Sequence, residues 1–142
     1  MALVVDAGAL YAQADADEPN HEIVARILMR ERQALVTTEL AIAEADYLIL
    51  DRLGVTVELD FLEDLASGTF SVECLNRDEL GTARTVVERY RDLRLGLADA
   101  SIVVLAYRYR TLRILTFDER AFRRVEPLQG GHFLILPADS DT

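Results

Sequence analysis

The sequence predicts an α/β fold built on a mostly parallel, roughly five-stranded sheet with helices on both faces. Short apolar runs recur at residues 2–6, 34–37, 69–75, 112–117 and 133–136. Segments whose apolar residues follow helical spacing lie between them, and strands that alternate with helices imply parallel pairing. The chain has 142 residues, 51% of them hydrophobic, which suits one ordinary domain burying roughly 68–70% of the surface its unfolded form exposes. Residues 1–137 read as that domain and 138–142 as a loose tail.

Each element has a local reason. Residues 2–6 are apolar up to Asp6 and are bounded by Asp6-Ala7-Gly8, as in a buried strand. Residues 9–14 form a short helix, and 15–20 a turn in which Pro19 suits the start of the next helix. From His21 onward, Ile23, Val24, Ile27 and Leu28 share one helical face. After the second strand, Thr37 or Thr38 caps a helix running to about Leu53, where Gly54 stops it. Its apolar stripe of Leu40, Ala41, Ala45, Leu48 and Ile49 has one acid inside it, Glu44. Residues 55–66 form another helix, ended by Ser67-Gly68.

The third strand runs into the single Cys74, expected to be a packed thiol and unable to form an internal disulfide. Asn76 or Asp78 starts an arginine-bearing helix to about Arg91, residues 93–96 connect, and 97–109 is the most apolar helix of the chain. A strand at 112–117, a helical turn or two at 119–124 and a last strand at 133–136 complete the reading. Gly130-Gly131 lacks the context of a phosphate loop and reads as a turn.

Composition excludes several classes. No apolar stretch approaches the roughly 20 residues of a membrane-spanning helix, so no membrane association is expected. The start has no basic segment and soon reaches Asp6, which does not suit a signal peptide, so a cytoplasmic protein is expected. The net charge is −10, which provides no long-range basic field to steer the chain onto nucleic acid. The charge is unevenly spread: residues 77–126 hold 11 Arg against 8 acids, whereas residues 1–76 hold 4 Arg against 15 acids. A local arginine-lined surface is therefore compatible with the composition. The chain contains no lysine. That argues against a phosphorylatable receiver domain and a haloacid-dehalogenase-type phosphatase, which also needs an acid at position 8 where this chain has Gly8. His21 and His132 show no ligand spacing.

Four acids stand in apolar settings: Asp6 after the first strand, Glu44 within a helical stripe, Asp99 in the first turn of the most apolar helix, and Asp118 after the fourth strand. Buried carboxylates repel one another and must be paired or must hold a cation. Asp6 and Asp118 fall at the carboxyl edge of a parallel sheet, where ligands gather. A set of carboxylates without His or Cys matches magnesium or manganese better than zinc. Simpler readings stand beside this one. Asp6 and Asp118 suit helix caps, Asp99 complements a helix dipole, and Glu44 fits a core ion pair with an arginine.

In these segments the chain resembles the PIN-domain family, and specifically the VapC-type ribonuclease toxins of bacterial toxin–antitoxin pairs. The likeness rests on Val4-Val5-Asp6-Ala7-Gly8-Ala9-Leu10, Thr37-Thr38 followed by Glu44, the stretch from Leu97-Ala98-Asp99-Ala100 to Ala106, and Leu115-Thr116-Phe117-Asp118-Glu119-Arg120-Ala121-Phe122. It spans about residues 2–136. The resemblance implies a three-layer α/β/α PIN-like fold with Mg2+, or Mn2+, in an acidic groove. Asp6, Asp99 and Asp118 would be the metal-associated acids and Glu44 would complete the catalytic set, with Thr116 supporting the site. Asp118 occupies the most variable acidic position of the family, and Glu119 beside it is the alternative. The expected activity is hydrolysis of RNA phosphodiester bonds. The expected partners are an RNA substrate, a small VapB-like antitoxin and a second copy of the chain. A PIN-fold nuclease acting on DNA and a catalytically inactive PIN-like binding module remain the alternatives.

Overall fold

A computed structural model describes residues 1–140. It contains five strands and seven α-helices among these residues, in the order β1 (Leu3–Val5), α1 (Ala7–Ala14), α2 (His21–Arg30), β2 (Leu35–Thr38), α3 (Glu39–Leu53), α4 (Val55–Ala66), β3 (Ser71–Glu73), α5 (Arg77–Arg89), α6 (Leu97–Arg108), β4 (Arg113–Leu115), α7 (Glu119–Arg124) and β5 (Leu134–Leu136). All strand pairings are parallel, and the sheet order is β3-β2-β1-β4-β5. The expected sheet is thus present, and it is wholly parallel. Registers include Val4 opposite Val36 on one side and Val5 opposite Leu115 on the other.

This order decides where a site can form. From β1 the chain steps outward to β2 and β3, then returns past β1 to β4 and β5. Right-handed crossovers put the helices of the two directions on opposite faces. That accounts for the complete burial of Leu3, Val4 and Val5. The reversal leaves a crevice beyond the carboxyl ends of β1 and β4, the position where open parallel sheets bind ligands.

Helix boundaries follow capping chemistry. Asp6 and Thr38 accept backbone N–H bonds at the starts of α1 and α3. Asn76 and Glu79 form a reciprocal capping box on α5. Gly54, at φ 89°, breaks α3 from α4 in a backbone region that glycine enters without steric cost. Every residue of α6 from Ala100 to Ala106 is buried, as its composition predicts. Residues 91–93 form a 3-10 turn within the connector. No helix of the described residues is long and apolar enough to cross a membrane.

Two expectations need correction. Cys74 is exposed, and its thiol donates to Glu39 Oε2 at 2.8 Å. β3 lies at the sheet edge and ends at Glu73, so the residue after it turns outward. The bond to Glu39 pushes the thiol pKa up, away from thiolate chemistry. The expected loose tail at 138–142 is also partly anchored. Asp139 accepts from Arg123 at 2.6 and 2.8 Å and from the Ile135 N–H at 2.8 Å. Residues 141 and 142 lie outside the described residues.

Candidate active site

The crevice is built from the ends of β1 and β4. The Asp6 N–H donates to the Leu115 carbonyl at 3.0 Å, so the parallel pairing extends one residue past β1. Asp6 then leaves the strand in an extended conformation and becomes the N-cap of α1. Its Oδ1 accepts the Ala7 N–H at 2.8 Å, and its Oδ2 accepts the Thr116 hydroxyl at 2.7 Å. The carboxylate is 4% exposed. Burial is the main reason its pKa rises to about 6. The two hydrogen bonds oppose that rise, and the charges of Glu44 and Asp118 add to it.

Thr116 links two of the acids. While donating to Asp6, its Oγ1 accepts the Asp118 N–H at 3.1 Å. Asp118 caps α7 through Oδ1, which accepts the Ala121 N–H at 3.1 Å. Its Oδ2 has no hydrogen-bond partner among the described residues. Capping and membership of the acidic site therefore coexist in Asp6 and Asp118; each uses one oxygen as a cap. Glu119, the alternative to Asp118, pairs with Arg123 at 3.1 Å.

Asp99 lies in the first turn of α6 and is half-buried. No hydrogen bond reaches its carboxylate among the described residues. Its pKa rises to about 7, first through burial and then through the negative charges of Asp6, Asp118 and Glu44. A helix N-terminus ordinarily favours an ionised carboxylate; here, burial and like charge outweigh it.

Glu44 departs from its expected placement. It is exposed, because the buried stripe of α3 runs through Ala41, Ala45 and Ile49 at four-residue spacing and leaves residue 44 on its flank. Among the described residues it forms no ion pair with an arginine. Its charge nevertheless registers on both Asp6 and Asp99. The fold thus gathers all four predicted acids into one negative field, with two set deep and two on the rim.

That field has no internal counter-charge. None of the ion pairs formed by the described residues involves Asp6, Glu44, Asp99 or Asp118. Nor do any three of the described His, Cys, Asp and Glu residues stand close enough to enclose an ion by themselves. The donor set fits a hard divalent cation that keeps several waters and takes one or two carboxylates directly. Carboxylates without His or Cys suit such an ion better than zinc.

A family model for the PIN domain matches residues 3–127. The chain belongs to the PIN-domain family. Ribonuclease VapC26 of Mycobacterium tuberculosis is 42% identical over 135 residues, covering 95% of this chain and 100% of that protein. Among solved structures, this PIN domain is similar to M. tuberculosis VapC20, described as a toxin that cleaves the sarcin–ricin loop. The TM-score is 0.77 at 17% identity, over 82% of this chain and 90% of that one. It is also similar to VapBC2 from Rickettsia felis, bound to a DNA fragment from the promoter. There the TM-score is 0.66 at 11% identity, over 88% of this chain and 93% of that one. These two likenesses establish the fold.

Sequence reasoning missed the hydroxyls that brace this PIN domain. The Thr37 hydroxyl donates to the Val5 carbonyl at 2.7 Å and ties β2 to the strand that presents Asp6. Thr38 and Ser101 meet at 2.7 Å between α3 and α6, and both are wholly buried. The available signal was polarity out of place: two threonines ending an apolar strand, and one serine in an apolar helix.

Proposed function

We propose that this protein is a Mg2+-dependent endoribonuclease, with Mn2+ as an accepted substitute, and the toxin of a toxin–antitoxin pair. The observation that carries the reading is the uncompensated acidic field at the carboxyl edge of the sheet. Two of its carboxyls are raised to about 6 and about 7, and no arginine offsets them. Perturbed groups of this kind concentrate at functional sites. The 42% identity to a protein named as a ribonuclease points the same way.

Asp6 and Asp99 would hold the cation, with Asp118 adding negative charge from the rim. When bound, the cation polarises the phosphodiester and lowers the pKa of a bound water. The chain's own residues do the rest. Thr116 and the Ala7 N–H fix both oxygens of Asp6, so its orientation does not depend on substrate. Glu44, on the exposed rim, orients the attacking water and accepts its proton. Arg77, Arg94 and Arg120 are exposed and make no ion pair among the described residues. They suit paired hydrogen bonds to RNA phosphates.

The antitoxin has a candidate docking face. Tyr47, Leu50, Val55, Leu59 and Leu62 are exposed on α3 and α4. A cavity of about 260 Å3 lies nearby, lined by Leu10, Phe61 and Phe70, with Asp60 and Asp64 among its walls. An amphipathic segment with basic residues matches that combination of apolar surface and negative charge. A homodimer and a cytoplasmic location complete the proposal; light scattering of the purified chain measures the former.

The deciding experiment assays purified protein on single-stranded RNA and DNA, with Mg2+, Mn2+ or EDTA. RNA cleavage that needs the metal and is lost in Asp6→Asn and Asp99→Asn is the expected result. An Asp6→Asn protein that cleaves like the parent overturns the assignment. Preferential cleavage of DNA overturns the substrate class, and millimolar Mn2+ without detectable binding points to a non-catalytic module.

A further inference from the structure

The first turn of α6 carries Asp99, yet its own N-terminus is weakly secured. The N-cap is Gly96, which makes no side-chain capping bond. Glycine also adds backbone freedom at the point where the helix begins. What holds the turn comes from α3. The Ala41 N–H donates to Thr38 Oγ1 at 3.0 Å, Thr38 Oγ1 meets Ser101 Oγ at 2.7 Å, and Ser101 Oγ donates to the Ala98 carbonyl at 2.6 Å. Each hydroxyl has one proton. Because the Ser101 proton goes to Ala98, Thr38 must donate to Ser101, and the chain of bonds acquires a single direction. It begins at the N-terminus of α3, whose second turn bears Glu44, and ends on the residue before Asp99.

Granted the metal-dependent nuclease proposed above, we infer that Ser101 and Thr38 are positioning residues: their buried hydroxyl strut sets the separation of Asp99 from Glu44 by locking the first turns of α6 and α3 together. Neither touches substrate in this role. Both hydroxyls are 0% exposed, so water does not replace a lost partner, and the turn must shift or leave a polar group unmet. Among the described residues Asp99 accepts no hydrogen bond on its carboxylate, so its position depends on the helix turn that carries it. By contrast Asp6 is clamped by two donors. Of the two deep acids, Asp99 alone depends on contacts made by its neighbours.

Three full-length variants test this. Ser101→Ala removes the strut and leaves the Thr38 cap on α3. Thr38→Val removes both with little change of shape. Thr38→Ser retains both. The readouts are kcat and KM on RNA, Mn2+ affinity by calorimetry, and amide hydrogen exchange at residues 98–101. Ser101→Ala is expected to lower kcat and Mn2+ affinity about tenfold, the usual scale for removing a group that orients a ligand. KM should stay within about twofold, and exchange in the first turn of α6 should quicken while α5 and the sheet keep parental rates. Thr38→Val should match or exceed these losses, and Thr38→Ser should behave as the parent.

Parental exchange and Mn2+ affinity in Ser101→Ala would overturn the proposal. So would a Thr38→Ser variant as impaired as Thr38→Val, because the hydroxyl would then not be the active element. Faster exchange across the whole molecule, with activity falling only in step with the folded fraction, would also overturn it by showing general destabilisation. If the parent itself neither binds Mn2+ nor cleaves RNA, the nuclease reading fails. The exchange comparison then still decides whether the strut fixes the Asp99 turn.

Discussion

Replacing Asp6 with Asn should make the metal-free protein more stable at alkaline pH while removing its activity. The folded carboxyl holds its proton to about 6, against an ordinary value of 3.8. A raised folded pKa means that this group's contribution to stability is fully present below 3.8 and is lost as the pH climbs through about 6. At pH 8 the ionised carboxylate therefore costs about 3 kcal/mol relative to its neutral form. At 4% exposure there is little solvent to screen it.

Asn cannot ionise, so it avoids that cost. It introduces a smaller one. Its carbonyl can accept the Ala7 N–H, but its amide then faces Thr116 Oγ1, which already accepts the Asp118 N–H. The Thr116 proton loses its acceptor, at about 1 kcal/mol. The net gain is about 2 kcal/mol, or roughly 4–8 °C in Tm for a chain of this length. Thermal melts of parent and variant in EDTA, between pH 4 and pH 8, measure it. The gap should be widest at pH 8, shrink as the pH falls through about 6 and reverse near pH 4, where only the cost to Thr116 remains. If the Asn variant is no more stable than the parent at pH 8, Asp6 is not held against burial and like charge, and the argument for a cation fails with it.

Other expectations follow from the same geometry. Glu44 is exposed, so Glu44→Gln should leave stability within about 0.5 kcal/mol by thermal melting. If it transfers a proton, the same change should lower kcat about 100-fold or more. Asp118→Ala should cost about 1 kcal/mol through loss of the α7 cap, whereas Asp118→Asn, which keeps a capping oxygen, should lose activity with little change in Tm. Saturating Mn2+ should raise Tm at pH 8 far more than at pH 5, where Asp6 and Asp99 are mostly protonated; an ion at 100 times its Kd adds about 2.7 kcal/mol. Equal shifts at both pH values would place the bound ion away from these acids.

The fold was legible because its signals are local. Short apolar runs bounded by turns marked every strand, and Thr38, Gly54 and Asn76 marked helix ends through chemistry that operates within four residues. Strands β1, β3 and β4 were each read too long, because an apolar run continues past the residues that pair in the ladder. The positions of Asp6 and Asp99 could be inferred because an acid amid apolar neighbours is costly wherever the chain folds. The exposure of Glu44 could not. Its stripe neighbours fix which face of α3 is buried, but only packing against α1 and α6 fixes where that face ends. Thr116 was implied by likeness alone, and the Thr38–Ser101 contact joins residues 63 positions apart, a distance across which no periodicity carries information.

The four acids are held with unequal firmness, and that inequality has a physical logic. Asp6 extends from the most deeply buried strand and is tied on both oxygens. Asp99 and Asp118 sit in first turns or caps of helices, where small rotations move a carboxylate without disturbing the sheet. A cation that retains water needs one fixed anchor and tolerates adjustment in the rest. In its absence the cluster is a store of unfavourable charge that the folded chain carries at neutral pH. Sites that keep such a cost trade stability for activity. A partner that covers this edge and brings positive charge would relieve the same repulsion. Neutralising the cluster by Asp6→Asn should therefore weaken binding of a basic antitoxin that reaches the acids, and leave unchanged one that binds only the apolar face of α3 and α4. Titration calorimetry of the two proteins against the same antitoxin separates these cases.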